Sequence, residues 1–431
     1  MADNSGALAL KSNVGHMARP YPATASGELS LNGSAWRTPT VVLVCGGLIL
    51  LLAIGTRQSF GLFLVPMSLD LGWGRETFSF AIALQNLVWG LAMPFAGAIA
   101  DRFGAARVLI AGGFAYAVGL WMMPYSTTAL AFDLSAGLLV GLGLSCTGFG
   151  VVLSVVARAY PAHKRSRAAG IAGACGSFGQ FAMLPWGQAL ITHFGWMNAL
   201  LVLGAGAFLM VPLGAALAGR GRASEESEQP ISAALAEAAS HRGFWFLTLS
   251  FFVCGLQTVF MMTHLPAYLI DRGLSAADGM QALAIIGLSN IVGSYAASAL
   301  GGRYSKKLVL AWMYVIRAVA ITAFITLPLS APSLYVFAVV VGSTWLGTVP
   351  LTNSLVAQIF GVKYLSTLFS IAFLGHQLGS FVGAWMGGAV FDLTGSYLPV
   401  WLASIALSVI AAALCVPIDE RAIKRLAIRP A

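Results

Sequence analysis

Runs of about 20 predominantly apolar residues, the helix length that crosses about 30 Å of hydrocarbon, recur twelve times between residues 41 and 418. No other property of the sequence limits the fold as strongly. A chain inside lipid finds no water for its N–H and C=O groups, so each run must satisfy them itself as a helix. The runs fall at 41–66, 77–100, 107–125, 130–157, 167–193 and 196–219, then at 244–270, 276–301, 307–329, 333–360, 364–391 and 396–418. With 58% of residues hydrophobic and 9% charged, the balance is that of a membrane protein. The expected fold class is an all-α membrane protein with twelve transmembrane helices, the lipid bilayer being its first partner.

Residues 1–40 are polar, rich in Ser, Ala, Asn and Gly, and read as a disordered cytoplasmic tail. The first apolar run comes too late and is too long for a cleaved signal peptide. The five cysteines, Cys45, Cys146, Cys175, Cys254 and Cys415, all fall within spans. None is placed for a disulfide framework, and small packing residues are what they read as.

A net charge of +9 raises nucleic acid as a partner, and the placement of the charge argues against it. With both ends inside, all of the 24 Lys and Arg except Arg57, Arg75, Arg272 and Arg317 fall in cytoplasmic segments. That is the positive-inside rule. The expected location is the plasma (inner) membrane, with both termini cytoplasmic.

The chain is also written twice. A shift of 201 lays "LDLGW" at 69–73 on "IDRGL" at 270–274, Arg102 on Arg303 and Gly141 on Gly342; a shift of 200 lays Gly179 on Gly379, Gly187 on Gly387 and Gly195 on Gly395. The halves are 41–219 and 244–418, joined by a charged cytoplasmic linker at 220–243 with a weakly amphipathic stretch at 231–239, and followed by a tail at 419–431. Two parallel six-span repeats make a transporter plan, with the substrate site near the midplane between them.

The loop after the second span, "GAIADRFGAAR" at 97–107, resembles the signature of the major facilitator superfamily. Its copy after the eighth span, "SALGGRYSKK", has Gly302 where the Asp would be. The resemblance covers residues 40 to 418 and implies the 6+6 pseudo-symmetric fold of that superfamily. It further implies that Gly97, Asp101, Arg102, Gly104 and Arg107, with Arg303 in the copy, form a cytoplasmic gate that holds the halves together when the cavity opens outward. A finer resemblance is to the monocarboxylate porter and oxalate:formate antiporter branch. It is carried by a cation on the first span and by the segments 263–294 and 373–397. An eighth-span arginine, which binds carboxylates in many relatives, would fall near Ser294.

A guanidinium inside hydrocarbon costs at least about 2.5 kcal/mol, so it faces a wet cavity or a partner. Arg57, in "GTRQSFGLF" at 55–63, is such a residue, and no Asp or Glu lies deep in any span. A substrate carboxylate supplies the missing partner through two parallel N–H···O bonds; a structural arginine bonded to helix carbonyls is the competing reading. Gln58 adjoins it, and Gln257 lies at the corresponding depth in the seventh span. Arg317, in the ninth span, reads as an interhelical structural residue. His264, Asn290, Asn353, His376 and Gln377 complete the expected substrate-binding set. The two histidines titrate near neutral pH and are the candidates for a coupled proton.

"GLGLSCTGFG" at 141–150 lies within the fourth span, with no strand before it, so it is not a dinucleotide loop. Gly170, Gly173, Gly176, Gly179, Gly383 and Gly387 read as helix-packing residues. No metal cluster, cofactor motif or nucleophile with a base is legible, and an enzyme is not expected. The sequence reads as a secondary carrier of a small organic anion, a monocarboxylate, working by alternating access with protons in symport and complete as a monomer. Efflux of an amphiphilic drug or metabolite through Phe60, Phe63, Met261 and Met262 is the alternative; a ligand sensor without turnover is a third reading.

Overall fold

The computed structural model describes residues 37–218, 231–361 and 365–423. Most of the expected N-terminal tail, the 219–230 part of the linker and the last eight residues lie outside them. Among the described residues the secondary structure is helical, with no strand. Eleven helices are long and apolar enough to cross a membrane. One of them, Arg167–Ala216, is broken at Gly195, whose φ of 77° is left-handed, so the chain crosses twelve times.

Span 1 is Pro39–Leu71, span 2 Arg75–Phe103, span 3 Ala105–Tyr125 and span 4 Ala129–Ala159, with spans 5 and 6 either side of Gly195. Spans 7 to 12 are Arg242–Asp271, Ala276–Arg303, Lys306–Thr326, Ala331–Phe360, Thr367–Thr394 and Leu398–Cys415. The linker contains a short helix, Ile231–Ser240, on the amphipathic stretch, and the Trp245 indole donates to its Ala239 carbonyl at 2.8 Å. An even number of crossings brings both chain ends to one face, the termini end; the other is the far end.

The repeat survives as geometry. Gly72 and Gly273 end spans 1 and 7 with φ of 65° and 86°, and Gly195 and Gly395 turn the chain before spans 6 and 12 with φ of 77° and 66°. Only glycine takes these angles without penalty. A Cβ on Gly179 of span 5 would overlap the Leu51 carbonyl oxygen of span 1. One on Gly379 of span 11 would overlap the Phe252 carbonyl of span 7. Leu51 and Phe252 are themselves 201 apart. In lipid, where apolar surface gains nothing by leaving the solvent, such close backbone approach is what van der Waals packing between helices requires. Gly383 and Gly387 belong to the same seam, whereas Gly170 and Gly173 have nothing within 4 Å of an added Cβ. The packing expected of those two is not present.

The structure also departs from the expected uninterrupted spans. Span 4 carries a π-helical turn at Asp133–Leu139 and a break at Gly148, and span 10 is broken between Ser343 and Thr348. Span 1 runs on to Leu71 through a 3-10 segment at Ser59–Phe63. At 1.5 Å per residue, Arg57 therefore lies about 21 Å from the far end of its helix, deeper than the expected run to residue 66 implies.

Candidate functional site

Arg57 lies in the last turn of the first α-helical segment of span 1, Pro39–Gln58, and is 9% exposed. Its Nη2 donates to Asn86 Oδ1 of span 2 at 2.5 Å and its Nη1 faces Met262 Sδ of span 7 at 3.6 Å. The guanidinium carbon lies 5.1 Å from the centre of the Trp89 ring, within cation–π range. Nε has no partner. None of the ion pairs among the described residues includes Arg57. A full positive charge at the middle of the bundle is thus held by an amide oxygen, a thioether and an aromatic face, all neutral.

From this cation a polar path crosses between the halves. Gln377 of span 11 donates from Nε2 to the Asn86 carbonyl at 3.2 Å, and its Oε1 pairs with His376 Nδ1 at 3.1 Å. The His376 ring stacks on Phe373, with centroids 5.7 Å apart, and Phe373 meets Trp89 edge-on at 5.8 Å. Nε2 of His376 and Nε2 of Gln58 are buried without a hydrogen-bond partner. Arg57, His376 and Gln377 therefore gather at the level where spans 1, 2, 7 and 11 meet, with Gln58 next to Arg57 in the chain.

Gln257, His264 and Asn290 are not brought to this cluster. Gln257 accepts from Arg317 Nη1 at 3.0 Å and donates to the Ser404 carbonyl and Ser408 Oγ at 2.7 and 2.6 Å. Arg317, fully buried, also donates to the Thr344 and Trp345 carbonyls, which the break in span 10 leaves without helix partners. Asn290 serves the same break, its Oδ1 accepting from Leu346 N at 3.0 Å. His264 is satisfied on both nitrogens, Nδ1 by Tyr397 Oη at 3.0 Å and Nε2 by the Ala384 carbonyl at 2.8 Å. Asn353 is half-buried in span 10, and no described hydrogen bond joins it to the cluster.

The far end is shut. Arg75 of span 2 makes a bidentate pair with Asp271 of span 7, at 2.6 and 2.7 Å, and donates to Tyr397 Oη of span 12 at 3.0 Å. Asp392 of span 11 accepts from the main-chain N–H groups of Arg75 and Glu76 at 3.0 and 2.7 Å. It thereby caps span 2 from the opposite half, where the N-cap residue Gly74 has no side chain to do so. Trp385 Nε1 donates to Glu76 Oε1 at 2.9 Å. The backbones interlock too: a Cβ on Gly61 would overlap the Met262 carbonyl oxygen, and one on Gly388 would sit 2.6 Å from the Arg75 carbonyl oxygen.

At the termini end the halves diverge. Spans 2 and 11 touch at Gly90 and Gln377, but nothing lies within 4 Å of a Cβ on Gly97. Asp101 pairs with Arg158 of its own half at 3.0 Å. Arg102 lies over Phe103, Gly104 has a φ of 96° between spans 2 and 3, and Arg107 and Arg303 are exposed. None of these contacts joins one half to the other.

Sequence reasoning missed Asn86 and Trp89. Both belong to "QNLVWG" at 85–90, where an amide and an indole three residues apart share one helix face in an apolar span. That spacing was the available signal.

Comparison with known proteins matches residues 46–383 to the Major Facilitator Superfamily. Among curated proteins, an uncharacterized MFS-type transporter YcxA of Bacillus subtilis is 24% identical, over 79% of this chain and 86% of that protein. Monocarboxylate transporter 13 of Rattus norvegicus is 25% identical, over 80% of this chain and 81% of its own. The uncharacterized MFS-type transporter YhjX of Escherichia coli is also 25% identical, over 80% and 86%. A bacterial homologue of the human lysosomal transporter Spinster, crystallised inward-facing and unoccupied, superposes with a TM-score of 0.67 at 15% identity, covering 90% of this chain and 95% of that one.

Proposed function

Since this chain belongs to the Major Facilitator Superfamily and is a membrane transporter rather than an enzyme, we propose that its cargo is a small organic anion, a monocarboxylate, bound at Arg57. One observation carries the reading. Arg57 is a buried cation midway through the bundle whose partners are all neutral and whose Nε is unpartnered. A carboxylate matches the guanidinium fork with two charge-assisted bonds. The relatives named as monocarboxylate transporters support the same cargo class.

Transport proceeds by alternating access. With the far end shut by Arg75, Asp271 and Asp392, the site communicates with the termini end, which is the cytoplasmic side of the plasma membrane by the positive-inside rule. In the opposite state the far-end contacts break. The loop with Gly97, Asp101, Arg102, Gly104 and Arg107, and Arg303 across from it, then closes the cytoplasmic side. His376, joined to Arg57 through Gln377 and Asn86, carries the coupled proton, so that anion and proton cross together nearly electroneutrally. His264, bonded on both nitrogens, pins span 7 to spans 11 and 12, Gln257 ties span 7 to spans 9 and 12, and Asn290 braces the break in span 10. The monomer is the working unit. Phe60, Phe63, Met261 and Met262 are all buried, and Met262 faces the Arg57 guanidinium with its Sδ, so the side chains named for an amphiphilic drug are engaged in packing or by Arg57, which favours the anion.

The test is uptake of labelled carboxylates into proteoliposomes, with and without an inward proton gradient, by the native protein and Arg57→Gln. Gradient-stimulated uptake of an acid that vanishes in the variant at equal incorporation is expected. Equal uptake by the variant makes Arg57 structural, and uptake indifferent to the gradient removes the proton.

A further inference from the structure

The Asn86 side chain is fixed at both ends of its amide. Nδ2 donates to the Ile82 carbonyl at 2.7 Å within its own helix, and Oδ1 accepts from Arg57 at 2.5 Å. The reverse orientation would set the NH2 group against a guanidinium and the oxygen against a carbonyl, so the network itself assigns the amide. The main chain of the same residue is tied to the other half by Gln377.

Arg57 has five N–H donors and a single oxygen partner, the one Asn86 supplies. Both bidentate edges of a guanidinium, Nε/Nη2 and Nη1/Nη2, include Nη2, so a ligand bound edge-on shares with Asn86 the nitrogen that it already holds. For a neutral acceptor, such as an amide or an ester carbonyl, the exchange replaces one bond by an equivalent one. For a carboxylate it replaces one neutral acceptor by two oxygens that share a negative charge and bind the guanidinium bidentately.

Resting on the reading of Arg57 as the anion-binding group, we propose that Asn86 is an affinity-setting residue, an internal ligand that competes with the cargo for Arg57 and raises the threshold that any cargo must exceed. Competition of this kind acts on every ligand of Arg57 by the same factor. It leaves the ratio between acid and neutral analogue unchanged while holding the neutral analogue out of the working concentration range. It also keeps the acid loosely enough held to be released.

Two substitutions separate this from a structural role. Asn86→Ala removes the competitor, and Asn86→Asp replaces it by a permanent ionised partner. The probes are benzoate and lactate, each against its amide. Binding is read from the ligand-dependent melting temperature of the purified protein, and transport from uptake into proteoliposomes. Asn86→Ala is expected to lower the half-saturating concentration of acid and amide alike by about tenfold, equivalent to about 1.4 kcal/mol. Damage to the fold would weaken binding instead. Asn86→Asp is expected to abolish the response to all four probes while keeping a cooperative ligand-free melting transition, which shows that it is folded.

Native affinity in Asn86→Asp, or no tightening in Asn86→Ala, overturns the assignment. Unequal shifts for acid and amide in Asn86→Ala also overturn it, because they indicate direct contact with the cargo. Arg57→Gln keeps the two readings apart: if it binds the acids as the native protein does, the anion reading fails. If it loses them while both Asn86 variants behave as native, only the Asn86 assignment fails. If no probe acts on the native protein or on Asn86→Ala, both fall.

Discussion

Replacing Asp392 by Asn should unlatch the far end of the bundle. The carboxylate accepts two main-chain N–H groups of span 2, at 3.0 and 2.7 Å, and Gly74 offers no cap of its own. Asparagine is nearly isosteric but keeps one acceptor oxygen and no charge. The loss of a helix cap is worth about 0.5–2 kcal/mol, and a negative charge at a helix N-terminus about 0.3–1 kcal/mol. With one bond retained, about 1–2 kcal/mol is a fair working figure. The bonds join opposite halves, so they exist only while the far end is shut, and their loss appears as a shift between states. At 1.4 kcal/mol per tenfold, the ratio of far-end-open to far-end-shut molecules rises about 5- to 30-fold. A minor state at about 1% would reach about 5–25%. Spin labels at Leu69 and Leu393, which are 79% and 85% exposed on opposite halves, report this as a growing long-distance population in nanodiscs. Asp419→Asn, at the termini end beside Arg421, is the control. A distance distribution identical to native in Asp392→Asn refutes the argument, as does an equal change in the control.

Four further outcomes follow from the same geometry. Arg317→Met leaves the Thr344 carbonyl and the Gln257 oxygen without their donor and the Trp345 carbonyl with Cys254 Sγ alone, at about 1–3 kcal/mol for each unpaired group; a lower melting temperature with an unchanged KM in the surviving protein is expected. Gly379→Ala drives a methyl into the Phe252 carbonyl and should destabilise by about 1–3 kcal/mol, the usual range for overpacking, read as an earlier unfolding transition in detergent. His376→Gln should abolish stimulation of uptake by a proton gradient with little change in melting temperature. His264→Gln breaks the bond to the Ala384 carbonyl or to Tyr397 and should lower the melting temperature while leaving the stimulation intact.

The burial of Arg57, Gln58, His376 and Gln377 deep in the bundle was legible because an ionisable or amide side chain in an apolar run is rare enough to stand out. Depth along a helix, however, says nothing of azimuth. Gln257 lies at the right level, but its side chain points toward spans 9 and 12 and is taken up by Arg317 and Ser408. Asn86 was overlooked for the converse reason. It is uncharged and unremarkable on its own helix, and it matters only because span 1 sets a guanidinium 2.5 Å from its oxygen.

The sequence by itself determined the twelve crossings and the two-fold repeat, because each depends on quantities additive along the chain: the apolar length of a run and its spacing from its copy. It also determined which glycines turn the chain, since Gly72 recurs at Gly273 and Gly195 at Gly395 with the same left-handed backbone. Only the tertiary structure decided what each polar group faces and which end of the bundle is shut. Asp392 caps a helix 317 residues away, and Arg75 closes on Asp271 at a distance of 196 residues. Such contacts depend on the rotation of one six-helix body against another. Two arrangements of the same helices satisfy the same hydrophobic pattern, so the pattern carries no information about which of them is adopted.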